Sequence, residues 1–161
     1  MKVTYDVIEK NDLDDSHRKI FAFMLEKQGK VLGNLSQKAD RCKLICIAKV
    51  DNDVAAIGAI KQNTESDFSP EKADVQEFSK DFEWELGYFY TQEEYEGQGI
   101  ASTITELLIK KYGEGNLMAS TEITANPAMV KILQKNGFRL FGKSWKSDIH
   151  ENDLGLFLKF K

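Results

Sequence analysis

The chain has 161 residues, 42% apolar and 30% charged, the profile of one ordinary globular domain with a real core. With 22 Lys and Arg against 26 Asp and Glu, the net charge is -4 and the pI about 5.3, which excludes the basic footprint of a nucleic-acid binder. The charged opening MKVTYDVIEKNDLDD carries no apolar leader, and no later stretch is long and apolar enough to span a membrane, so the expected location is the cytoplasm.

In chain order, VTYDVIE alternates as a strand, and Asp14, Asp15 and Ser16 introduce a helix with Ile20, Phe23, Met24 and Lys27 at helical spacing, ended by Gly29. A short helix around Leu32 to Asp40 is expected before a β-branched strand from Cys42 to Val50. Asp51-Asn52-Asp53 then turns the chain into a partner strand, Ala55 to Lys61, making a hairpin. Cys42 and Cys46, four apart on the first of these strands, should share a face and pack. They are too distant for a disulfide, and no Cys/His group completes a metal site. His17 and His150 are isolated and read as exposed bystanders. Residues 63–82 are polar and acidic, which predicts a mobile surface insertion or lid.

WELGYFYT, residues 84–91, is an aromatic strand, and the following turn leads to a helix with Ile100, Ile104, Leu107 and Leu108 on one face, stopped by Gly113. Leu117 to Ile123 is the next strand, parallel to the aromatic one by the strand, helix, strand rule. Asn126-Pro127 opens another helix, closed by Gly137, and FRLFGKSW with LGLFLKFK read as an antiparallel pair. The whole is an α/β (α+β) chain in order β-α-α-β-β-β-α-β-α-β-β. About 6–7 strands form a mixed sheet flanked by about four helices, in a single domain over 1–161 with 63–82 as an insertion.

The chemistry concentrates in Glu96-Gly97-Gln98-Gly99-Ile100-Ala101. Small residues directly after a strand and before a helix let backbone amides converge on an anion, and the helix start adds its own unpaired N–H groups. No third glycine follows at the spacing of a dinucleotide fingerprint and no Lys-Ser/Thr pair follows, so neither NAD nor ATP is favoured.

WELGYFYTQEEYEGQGIASTITELLIKKY resembles motif A of the GCN5-related N-acetyltransferases, Q/R-x-x-G-x-G/A after an aromatic strand, and ANPAMVKILQKNGFRLFGK resembles their motif B. The resemblance implies a GNAT-like acyl-CoA N-acyltransferase fold and acetyl-coenzyme A as acyl donor. It implies a pyrophosphate cradle at Gly97, Gln98, Gly99, Ile100, Ala101 and Ser102, and backbone contacts to pantetheine around Phe89, Tyr90 and Thr91. By the same resemblance Asn126 is a further pantetheine contact, though as a helix N-cap it has an equal reason to be there.

Glu85 takes the position of a carboxylate that deprotonates the incoming amine in many relatives, with a solvated strand-edge acid as its plainer role. Two positions depart from the family pattern. Glu96 stands where Gln or Arg is usual, and Leu133 replaces a Tyr that protonates the departing thiolate. The expected acceptor is an amine of a small molecule or a protein. The alternative is a weak or inactive module that binds coenzyme A as a regulatory ligand. Trp145, Phe157 and Phe160 are candidates for a homodimer face.

Overall fold

A computed structural model describes residues 2–161. It contains β1 (Val3–Glu9), α1 (Asp15–Gln28), a single helical turn α2 (Leu35–Lys38), β2 (Cys42–Val50), β3 (Asp53–Gln62) and β4 (Trp84–Thr91). After these come α3 (Ile100–Tyr112), β5 (Leu117–Glu122), α4 (Pro127–Lys135), β6 (Arg139–Lys146) and β7 (Asp153–Lys159). The seven strands run in the order β1-β2-β3-β4-β5-β7-β6, with β4 and β5 parallel and the β1-β2, β2-β3, β5-β7 and β6-β7 pairs antiparallel. This is the expected mixed α+β order.

The chain forms two compact units, and β4 contributes to both. The first runs up to Lys61 and again over Gly87–Gly113. Its helix α1 is capped by Asp14, which accepts the His17 N–H at 3.0 Å while His17 Nδ1 accepts the Asp14 N–H at 3.2 Å. His17 is therefore a capping residue and not a bystander. The buried stripe of α1 is Phe21, Met24 and Leu25, whereas Phe23, expected on it, is 52% exposed. That stripe packs on Ile8, Cys42, Ile45, Ile47 and Ile57.

Asp51 (φ 49°) and Asn52 (φ 76°) are both left-handed, the backbone that a two-residue hairpin between right-twisted strands demands and that Asn and Asp tolerate. A register irregularity between Cys42 and Leu44 reverses the alternation of β2. Cys42 consequently joins the α1 cluster with Ile45 and Ile47 while Cys46, equally buried, stays outside it, so the two thiols do not share a face as expected.

The second unit comprises Gln62–Leu86 and Glu114–Lys161. Here the 63–82 segment departs from the surface insertion expected of it. Phe68, Ala73 and Phe82 are fully buried, in one cluster with Met118, Trp145, Leu156 and Leu158. The acidic residues between them only coat the outside of a packed strap. The Ala73 carbonyl accepts the Lys143 N–H at 3.0 Å, and Asn63 Nδ2 donates to the Phe82 carbonyl at 2.6 Å. Trp145 (8% exposed) and Phe157 (1%) belong to this unit's interior, which corrects their reading as a dimer face. Phe160 is half-exposed, with ring centroids 5.1 to 5.6 Å from Phe78, Phe82 and Phe141.

Candidate functional site

In the first unit, β4 runs into a short turn, Glu93–Tyr95, and then into the glycine-rich stretch. Gly97 (φ 75°) and Gly99 (φ 77°) are left-handed, and a β-carbon on either would meet nothing within 4 Å. Glycine is therefore required by the backbone and not by crowding, and the space above the turn is open. Gly99 caps α3 with no side-chain hydrogen bond. Among the described residues no group accepts a hydrogen bond from the N–H groups of Gly97 through Ser102, and the first paired amide is Thr103, which donates to the Gly99 carbonyl at 3.0 Å. Ile100 and Ile104, buried beneath, anchor the helix start. Outward donors, a helix N-terminus and open space suit a diphosphate. Glu96 beside them is exposed and opposes that charge.

Tyr88, in the middle of β4, has φ 57°, a conformation an aromatic residue adopts only under constraint. The constraint is visible in the same unit. Its ring meets Phe21 edge-on at 5.6 Å, Lys61 Nζ lies 4.9 Å from its centroid, and its hydroxyl accepts from Arg41 at 3.3 Å. The kink changes the course of the backbone that carries Phe89, Tyr90 and Thr91. The Phe89 carbonyl accepts Gln28 Nε2 at 2.6 Å, so it is not a spare acceptor, and its ring fills the space that a β-carbon on Gly58 would need. Tyr90 packs against the α1 cluster. Just past Thr91, the Gln92 N–H and Nε2 donate to the Ala55 and Val54 carbonyls at 2.8 and 2.7 Å, and Lys27 Nζ donates to Gln92 Oε1 at 2.9 Å.

In the second unit, Glu85 is 5% exposed and its carboxylate accepts the Thr64 hydroxyl at 2.8 Å, so it is not a solvated edge acid. It stands opposite Met118 on β5. Asn126 caps α4: its Oδ1 accepts the Met129 N–H at 3.3 Å, while its own N–H donates to the Glu122 carbonyl at 3.3 Å. Leu133 is fully buried.

One cluster escaped the sequence reading. Glu122, at the end of β5, is 7% exposed, and its Oε2 accepts Asn152 Nδ2 at 2.8 Å. Its Oε1 lies 3.6 Å from His150 Nε2, and His150 Nδ1 accepts the Asn152 N–H at 3.2 Å. The signal available was a carboxylate inside the otherwise weakly polar strand LMASTE. Among the described residues no group of His, Cys, Asp and Glu is arranged to hold a metal ion.

In the first unit, β4 thus leads through a glycine turn into a run of amides at the start of α3 with no acceptor among the described residues. The model of the Acetyltransferase (GNAT) family matches residues 4–138, and the chain belongs to that family. That family is one of acetyltransferases, typically dependent on acetyl-coenzyme A. Among solved structures it is similar to a GNAT-family acetyltransferase from Streptococcus pneumoniae, at 18% identity and TM-score 0.65, with 98% of each chain covered. It is also similar to Arabidopsis thaliana NAA60 in complex with acetyl-CoA, at 14% identity and TM-score 0.66, with 99% of this chain and 98% of that one covered. The ribosomal-protein-S18-alanine N-acetyltransferase of Escherichia coli aligns at 13% identity and TM-score 0.65, over 97% and 93%. No curated protein matches. These likenesses establish the fold.

Proposed function

We propose that this chain works as a single N-acetyltransferase domain that moves an acetyl group from acetyl-coenzyme A to a primary amine of a small molecule or protein. The observation that carries the reading is the run of amides from Gly97 to Ser102 with no acceptor among the described residues, in a chain of this family. In this reading Gly97, Gln98, Gly99, Ile100, Ala101 and Ser102 hold the diphosphate, the backbone of Phe89, Tyr90 and Thr91 faces the pantetheine, and Asn126 adds a contact beside its capping role. Bound acetyl-coenzyme A supplies the activated thioester.

Glu85 is the proposed proton acceptor for the ammonium of the acceptor. The Thr64 hydroxyl orients its carboxylate, and burial keeps bulk water from competing for it. The proton passes to the Glu85 carboxylate, and the amine, now neutral, is the nucleophile. Two free, buried cysteines suit a reducing compartment, which supports the cytoplasm as the place of action. A second reading, a module that binds coenzyme A without turnover, draws on Leu133, a buried Leu that cannot donate a proton to the departing thiolate.

The test has two arms. Coenzyme A should raise the melting temperature, since a ligand bound only by the folded state stabilises it. Thiol release from acetyl-coenzyme A should then appear with at least one of a panel of polyamines, amino acids, aminoglycosides and peptide amines. Stabilisation without thiol release selects the module, and absence of both rejects either reading.

A further inference from the structure

Helix α1 ends on a polar residue where its buried stripe calls for an apolar one. Phe21, Met24 and Leu25 face the core, and Gln28 stands at i+7, i+4 and i+3 from them, on the same face. Glu26 and Lys27 before it and Gly29 and Lys30 after it are exposed, whereas Gln28 is half-buried. Its Nε2 donates to the Phe89 carbonyl at 2.6 Å, and its Oε1 is buried with no donor among the described residues. Turning the amide over would set two oxygens against each other at that distance, so the atom left over is the oxygen. A buried amide oxygen without a donor is a liability that Leu or Met at this position would not carry. It asks for an N–H from outside the chain.

The place fits that demand. The Gln92 N–H donates to the Ala55 carbonyl of β3, and polar groups alternate along a strand, so Phe89 and Thr91 direct theirs to the edge of β4 away from β3. Gln28 approaches on that edge. Lys27 Nζ donates to Gln92 Oε1 at 2.9 Å, so the last turn of α1 is tied to the end of β4 at two points that bracket Tyr90 and Thr91. The nitrogen and oxygen of an amide are about 2.3 Å apart, which keeps Gln28 Oε1 within about 5 Å of the Phe89 carbonyl oxygen.

We propose that Gln28 Oε1 accepts one of the amide N–H groups of the pantetheine arm, so that the end of α1 forms part of the donor site. This rests on the reading in which the backbone of Phe89, Tyr90 and Thr91 faces that arm. The Phe89 carbonyl already holds Gln28, and the side chain extends it into a second acceptor whose orientation Nε2 fixes. Gly29 and Lys30 leave the helix end open, and a small rotation of the amide about its bond to Phe89 uncovers the oxygen as the arm enters. The arm is unchanged in the reaction. The contact therefore stabilises bound substrate and transition state equally and is seen in KM, not in kcat.

The experiment pairs changes in the ligand with changes in the protein. Two analogues of coenzyme A each carry an ester oxygen in place of one pantetheine amide N–H, and calorimetry measures them and coenzyme A itself against wild type and Gln28→Met. Met keeps the length of the side chain and removes both polar atoms. One analogue should bind wild type about tenfold more weakly than coenzyme A does, and Gln28→Met at most about twofold more weakly. Lys27→Met cuts the other tie between α1 and β4 without touching the oxygen and should keep the wild-type ratio. With acetyl-coenzyme A, Gln28→Met should raise its KM by about threefold to tenfold and leave kcat within about twofold.

The same analogue ratios in wild type and Gln28→Met overturn the inference. An altered ratio in Lys27→Met does so as well, because it would trace the effect to docking of the helix. A raised KM for the amine acceptor alone also overturns it, by assigning the oxygen to the other substrate. Coenzyme A that binds neither wild type nor variant rejects the donor reading itself, whereas equal ratios with coenzyme A still bound reject only this contact.

Discussion

Glu96 is the residue whose sequence signal and structural setting pull against each other. It precedes a run of outward-facing amides that invites a diphosphate, yet it places a carboxylate beside it, and its exposure means that water and salt screen most of the conflict. Replacing it by Arg removes a repulsion and adds a donor. Glu96→Arg should tighten coenzyme A by about threefold to tenfold at low ionic strength, an effect that shrinks at high salt. Isothermal titration at two salt concentrations checks both halves, and a gain that does not shrink with salt would exclude the electrostatic cause. Glu85 is a different kind of residue, buried and oriented by Thr64. Glu85→Gln should lower kcat by about 100-fold or more while the shift in melting temperature produced by coenzyme A stays within error, since Glu85 is not part of the cradle.

Among the elements, the strap over residues 63–82 depends most on one position. Gly142 on β6 is left-handed at φ 72°, and a methyl group there would run into the carbonyl oxygen of Ala73, the atom that accepts the Lys143 N–H. Gly142→Ala must therefore adopt an unfavourable backbone conformation and push the strap off β6 together, losing a buried hydrogen bond. A loss of about 2 to 4 kcal/mol is expected, read as a lowered urea midpoint. Gly97→Ala is the control. It carries a similar φ of 75° but open space, so strain alone should cost it about 1 to 2 kcal/mol.

The contrast also shows what could be read from sequence. The hairpin turn at Asp51-Asn52, the Asn126 cap and the glycine turn before α3 were legible because each is decided within a few residues by φ, capping and turn chemistry. The strap was not, because Phe68, Ala73 and Phe82 are spaced among acidic residues with no helical or strand period, and only non-local contacts with Trp145 and Leu156 bury them. His150 was hidden for the same reason: its partner Glu122 is reached through the β5-β7 register and not through neighbouring sequence.

At the scale of the molecule, the two cysteines link the core to pH. Burial pushes the thiols of both Cys42 and Cys46 up to about 12, because neither thiolate can be solvated where it sits; nearby Lys61 and Arg41 offset only part of this for Cys42, and Asp6 adds to it for Cys46. In the unfolded chain both return to the ordinary range near about 8.5. A group with a raised folded pKa contributes stability that is fully present below the unfolded value and is lost as pH rises toward the folded one. Between about pH 8.5 and 12 the unfolded state therefore releases protons that the folded state retains, and the free energy of unfolding falls. Urea midpoints measured at pH 7.5, 9 and 10 should decline in that order, and the double variant Cys42→Ala with Cys46→Ala should decline less steeply from a lower start, since it also leaves small cavities in the first unit. Thiol reagents at pH 8 should find the native protein unreactive and both thiols reactive after unfolding. Rapid modification of the native protein would mean that the core around β2 opens far more readily than its packing implies.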